Sequence, residues 1–144
     1  MVIQTEKSAR KRRLKAGTSI VEATIVLPLM LLLVFATAEF GISFTRWNSL
    51  TNAVREGARM GVVFRAPCVA GTVTTLIEAT VADFADSSGL DPTSITTTVT
   101  GACGGTGTQL IVSATAPYTY VALSALAGLA PSTSLSARTV MRNE

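Results

Sequence analysis

From Ala23 to Ala38 the sequence ATIVLPLMLLLVFATA carries no charged residue and almost nothing polar. With its flanks, Gly17 to Phe44, the run exceeds the roughly 20 residues that an α-helix needs to cross a bilayer. Just upstream lies a basic cluster: Lys7, Arg10, Lys11, Arg12, Arg13 and Lys15. Positive charge before a membrane segment stays on the cytoplasmic side. Two carboxylates bracket the run, Glu22 at its start and Glu39 near its end. An acid at the mouth of a membrane helix is expensive unless it is paired. Any account of the chain has to give these acids a role.

The net charge of +3 is uneven. Residues 1–17 hold six basic groups and one acid, and the remainder holds six Arg against eight acids. The basicity therefore belongs to the leader, and no nucleic-acid surface is expected on the folded part. The sequence contains no His, which removes the commonest general base and metal ligand. Every Lys lies within the first 15 residues. No nucleophile–base pair, metal cluster or cofactor loop can be assembled, so no enzyme activity, metal or cofactor is expected. Asp83, Asp86 and Asp91 leave an acid hydrolase formally open, and solvated helix-end and turn acids are the simpler account.

Three fates fit the apolar run. An ordinary signal peptidase could cut after Ala38, since Ala36-Thr37-Ala38 meets its small-residue rule, releasing a secreted binding domain. The run could be an uncleaved anchor of a single-span scaffold. Or a prepilin-type leader could be removed after Gly17. The third gives a role to two features the others leave idle. Gly17 follows the basic cluster directly, and Glu22 is the fifth residue of a chain beginning at Thr18. Cleavage frees the Thr18 amine. In a bundle of such helices, Glu22 of one subunit could meet the Thr18 ammonium of a neighbour, satisfying both charges and setting axial register. Glu39 is expected at the far headgroups, with pairing inside an assembly as the alternative.

Residues 1–16 are polar, without apolar periodicity, and are expected to be disordered. Pro28 falls inside the run, where membrane helices tolerate it. From Arg46 to Phe64 the helix is expected to continue, with Trp47 at the interface and Leu50, Val54, Ala58 and Gly61 at helical spacing. Ala53, Gly57 and Gly61 recur every four residues and form a smooth ridge, either for another backbone or for the protein's own sheet. Helix 19–64 would be roughly 70 Å long, ending by Pro67. Thr72 to Phe84 reads as a short second helix, with Val73, Leu76, Ile77, Val81 and Phe84 inward. Alternation predicts strands at Ile95–Thr100, Leu110–Ala116 and Leu135–Met141. GACGGTG is expected to be a flexible hairpin, and Pro117 to end or edge its strand. Tyr120 to Leu129 is an apolar connection. Such a sheet cannot hide both faces, and the second half of the long helix offers the missing layer. Cys68 and Cys103 form no C-x-x-C. Beyond a membrane they are expected to pair in one disulfide, with two buried thiols as the alternative.

GTSIVEATIVLPLMLLLVFATAEFG, followed by LTNAVREGARMG, resembles the TadE-like family of minor pseudopilins. These belong to the tight-adherence (Tad) machinery that builds Flp pili, a type IVb system. The closing SLSARTVMRNE resembles the family's usual ending. The resemblance implies an α+β protein. Residues 1–17 would be a basic cytoplasmic leader and 18–45 the transmembrane helix. Residues 46–144 would form a periplasmic pilin-like domain with a three-stranded antiparallel sheet and one short helix. It implies a single-pass protein of the bacterial inner membrane, or of the pilus itself, serving pilus assembly, adhesion and biofilm formation. The implied partners are a prepilin peptidase, other pilins and pseudopilins, the assembly platform and membrane lipid. Gly17 becomes the residue before the cut, Thr18 the new N-terminus and Glu22 the acid of the motif. Thr18 departs from the aromatic or apolar residue that many type IV pilins carry there.

Overall fold

The computed structural model describes residues 2–63, 67–120 and 132–143, with side chains in the long helix from Ser19 onward. The protein is α+β. Its elements are α1 (Val2–Val62), α2 (Ala70–Ser87), a 3-10 turn (Pro92–Ser94), and strands β1 (Thr96–Thr100), β2 (Gln109–Thr119) and β3 (Ser132–Arg142). The strands form one antiparallel sheet in the order β1-β2-β3. The chain divides into two compact units, Met1–Ala38 and Glu39–Glu144, and α1 contributes to both.

In the first unit the helix starts at Val2 rather than after a disordered leader. Lys, Arg, Ala and Leu are good helix formers, and extending an existing helix costs far less than nucleating one. Pro28 sits inside α1 without ending it. Between Ser19 and Val62 the helix is long and apolar enough to cross a membrane. Its most apolar 18-residue window has a mean hydropathy of 2.4 and none of it is buried. Ile25, Leu29, Met30, Leu33 and Phe35 are all exposed.

The second unit has a core. Leu50, Ala53, Val54 and Ala58 of α1 meet Val73, Ile77, Val81 and Ala85 of α2, together with Leu110, Val112, Ala114 and Ala116 of β2 and Ala137 of β3. Both helices cover one face of the sheet, as the alternation of β2 requires. Its even-numbered residues are buried and its odd-numbered ones are not. The α1 ridge serves the protein's own packing. A β-carbon on Gly57 would come within 2.6 Å of a Val81 methyl, and one on Gly61 within 2.5 Å of Ile77 and 2.7 Å of Leu110. Phe84 is exposed and Ala85 takes the inward place expected for it, because the buried positions of α2 recur every four residues from Val73.

Pro117 does not end β2, since the strand continues to Thr119; it marks an edge, facing Ser134 of β3 and no described residue on the β1 side. The last residue of β2 opposite β1 is Thr115, facing Thr96. Alternation turns the Pro117 nitrogen toward the β1 side, where that strand has already stopped, so no ladder bond is lost. GACGGTG is not a loose hairpin. Gly101, Cys103 and Gly107 adopt positive φ, and a β-carbon at Gly101 would run into the carbonyl of Gln109. Asn143 clamps the loop. Its Nδ2 donates to the Gly101 carbonyl (3.0 Å) and to Thr108 Oγ1 (2.9 Å), and its own carbonyl accepts from the Gly107 amide (2.9 Å). Cys103 pairs with Cys68 in a disulfide, Cα to Cα 5.8 Å, tying this loop to the entry of α2. The expected connection from Tyr120 to Leu129 lies outside the described residues from 121 onward, as does the Phe64 end expected for α1.

The crosslink spans 35 residues of sequence, and closing a loop of that size stabilises by about 3–4 kcal/mol in the chain-entropy account. Reduction, or the Cys68→Ser/Cys103→Ser pair, is expected to lower unfolding stability by that order. Urea titration followed through Trp47, the single tryptophan, measures it. An unchanged midpoint would show that the loop is held by Asn143 alone.

Candidate assembly site

The polar groups of the apolar run are handled in two ways. Its two threonines return their hydroxyls to the helix. Thr24 Oγ1 donates to the Ile20 carbonyl (2.7 Å) and Thr37 Oγ1 to the Val34 carbonyl (2.8 Å). A hydroxyl with no water to bond needs such a partner. Glu22 has no such internal solution. It is exposed and makes no hydrogen bond or ion pair with another described residue. Ile20, Val21, Ile25 and Val26 around it are exposed as well. Gly17 and Thr18 fall within α1.

Glu39 is treated in the opposite way. It is 4% exposed, and its Oε1 accepts a 2.7 Å hydrogen bond from the Tyr118 hydroxyl on β2. The expectation that it faces the headgroups is corrected: its carboxyl is covered by its own domain. A buried carboxyl is costly without such partners. Arg46, two turns further along α1, sets its guanidinium 5.2 Å from the centre of the Tyr118 ring, within cation–π range. Tyr120 meets the same ring edge-on at 5.0 Å. About two turns of helix thus approach the sheet through Glu39, Arg46 and Trp47. The Trp47 Nε1 donates to the Ser136 carbonyl of β3 (3.1 Å), so this side chain seats on the sheet edge.

The Tyr118 phenol is pushed up from 10 to about 12. Burial is the main cause, followed by the hydrogen bond to Glu39 and that carboxyl's charge. The Arg46 guanidinium acts in the other direction. The phenol therefore stays protonated and remains a donor to Glu39 throughout the physiological range.

Residues 17–59 match the family described as TadE-like protein. Over this stretch the chain is similar to that family. The TadE-like segment holds Glu22, Glu39, Arg46, Trp47, Ala53 and Gly57, and it stops before the sheet. No curated protein and no solved structure matches the chain. Tyr118, Ser136 and Asn143, which seat and clamp the helix and loop, lie outside the TadE-like segment. Nothing in the sequence singled them out. Only the alternation of β2 places Tyr118 on its inward face. Among the described residues no group of three or more His, Cys, Asp or Glu could hold a metal ion.

Tyr118→Phe removes the donor and keeps the ring. It is expected to cost about 1–3 kcal/mol, as a buried polar group loses a partner, measurable by urea unfolding. The sign of its pH dependence follows from a folded pKa above the unfolded one. The stability that the neutral phenol contributes is complete below pH 10 and is lost as pH rises through about 12. The wild-type protein should therefore lose more stability across that window than Tyr118→Phe does. Parallel declines would remove the phenol from the account.

Proposed function

We propose that this chain is a minor pseudopilin of a Tad-type (Flp) pilus system, acting in pilus assembly and so in surface adhesion and biofilm formation. The observation that carries this reading is where the TadE-like match falls. It covers one helix whose first part presents uncovered apolar surface and whose second part is the core of a small α+β domain. A protein built in this way holds a folded domain at a membrane and leaves a greasy helix free to pack with others.

In this reading the basic leader stays in the cytoplasm and the domain lies in the periplasm. A prepilin peptidase cuts after Gly17. Glu22 then pairs with the Thr18 ammonium of a neighbouring pilin or pseudopilin. We end the lipid-facing part at Ala38, shorter than the 18–45 span that the resemblance implies. Burial of Glu39 under Tyr118 supports that limit, and the stretch from Thr18 to Ala38 still covers about 30 Å at 1.5 Å per residue. The role is structural, with no chemical step assigned to any residue.

The intact mass of the protein, taken from membranes of a host carrying its own pilus genes, tests this reading. The expected chain begins at Thr18. A chain beginning at Glu39 would mean a secreted domain, and an uncut chain a permanent scaffold. Glu22→Ala is expected to leave membrane insertion intact and to reduce surface pili at least about tenfold, the effect of losing a charge pair away from water. Unchanged pilus output would remove the register role of Glu22.

A further inference from the structure

Past Ala38, α1 keeps an apolar face. Phe40, Phe44 and Trp47 follow one another at steps of four and three residues, so they share one side of the helix. Their rings form a ladder. Phe40 and Phe44 are stacked with centres 6.3 Å apart, and Phe44 and Trp47 are tilted at 5.9 Å. Both separations lie in the range of attractive ring pairs. All three side chains are exposed, Phe40 at 70%, Phe44 at 51% and Trp47 at 42%, whereas Glu39, next to Phe40, is 4% exposed. Over these turns one side of α1 is taken up by Tyr118 and another is bare.

The ladder begins two positions after Ala38, so it continues the lipid-facing stretch without a polar interval on its own side. It ends where that side turns polar, at Thr51 one turn beyond Trp47 and at the exposed Arg55 two turns beyond. From Glu39 to Trp47 the helix rises about 12 Å at 1.5 Å per residue. A headgroup layer is roughly 5–8 Å deep on each side of the hydrocarbon. The ladder is thus long enough to run from the hydrocarbon edge through the headgroups, the depth at which tryptophan concentrates in membrane proteins. No donor on this face is left in need of water. The Trp47 Nε1 already donates to the Ser136 carbonyl (3.1 Å). Ser43 and Thr45 return their hydroxyls to the carbonyls of Phe40 (3.3 Å) and Gly41 (2.9 Å).

Residue size separates lipid from a second helix as the cover. Close contact between membrane helices selects small residues, which let the backbones approach. The regular small-residue ridge of α1 in this domain is Ala53, Gly57 and Gly61, and Ile77 and Val81 of α2 already pack on it. The bare side offers three large rings instead. Amphipathic rings of this kind suit the fluid boundary between acyl chains and headgroups, which fits around any side-chain shape.

We propose that the bare face of α1 from Phe40 to Trp47 is a phospholipid-binding surface that seats the folded domain in the headgroup layer of the bilayer. Lipid surrounds the helix on all sides only as far as Ala38, and on this one side it runs on for about 12 Å. The end of the domain that holds Glu39 and Tyr118 then lies among the headgroups. At that depth a carboxyl is costly without a partner, and the Tyr118 hydroxyl supplies one. The inference rests on the reading of α1 as a membrane-spanning helix, and it requires neither cleavage of the leader nor a pilus.

The test uses the full chain reconstituted in phosphatidylcholine vesicles at high lipid excess, with Trp47, the single tryptophan, as the probe. Bromine on a lipid chain quenches a tryptophan that it touches. Lipid brominated next to the headgroup is expected to cut Trp47 fluorescence at least about twofold, and lipid brominated at the chain ends, or acrylamide in the water, to cut it much less. The double variant Phe40→Asn/Phe44→Asn changes exposed positions outside the core. It is expected to lower quenching by the headgroup-proximal bromine at least about twofold. The chain should still float with the vesicles, and its urea midpoint in detergent should not move. Quenching of Trp47 by acrylamide and by neither lipid would put the ladder in water and overturn the proposal. Shielding from every quencher that is lost on dilution with lipid would give the face to a second chain and overturn it as well. So would quenching that the double variant leaves unchanged, because the span alone would then set the depth of Trp47. A chain that does not float with the vesicles would overturn the membrane reading too, whereas a floating chain with Trp47 in water overturns this inference alone.

Discussion

One helix has to satisfy two environments. Through its first half α1 offers apolar side chains that no other described residue covers; in its second half the same helix is a wall of a packed core. The change falls at Glu39, where an acid that would be costly in lipid is taken in by the domain through Tyr118. Arg46 on the ring of Tyr118 and Trp47 on the carbonyl of Ser136 hold the next turns to the sheet. Without those contacts the sheet would keep only α2 on its inner face, and an antiparallel sheet this small needs cover to be stable.

Close packing of α1 against α2 follows from residue size. Ala53, Ala58, Gly57 and Gly61 let Ile77 and Val81 approach the helix backbone. The same small residues at the same spacing would serve a contact between subunits equally well. What decides the matter is that the ridge is already filled by α2 of the same chain. The ends of the domain are then tied by covalent and polar links, with Cys68 joined to Cys103 and Asn143 bonded across the loop between β1 and β2. A unit with few large buried side chains gains most from such ties.

Among the described residues the surfaces left open are the apolar helix and the two sheet edges, and they ask for different partners. Exposed aliphatic side chains on a helix are covered by lipid or by other helices without directional bonds. Strand edges need backbone donors and acceptors in register.

The sequence alone was enough for the membrane-length helix, its continuation to Val62, the second helix, three strands and the Cys68–Cys103 pair. Each of these rests on local periodicity, composition or a count of two cysteines, and local signals survive without knowledge of the fold. The TadE-like character was legible for the same reason, since it lies within residues 17–59 of one helix. The fate of Glu39 was not legible, because its partner is 79 positions away and nothing near Glu39 announces Tyr118. Nor was the ridge of Ala53, Gly57 and Gly61, whose spacing is the same whether the partner is foreign or α2. Pro117 was left between a strand end and an edge because that choice depends on where its neighbour ends, and the GACGGTG loop was misjudged because a glycine loop's order depends on what crosses it. Tertiary structure decided these points because each depends on which distant residues meet, and packing alone determines that.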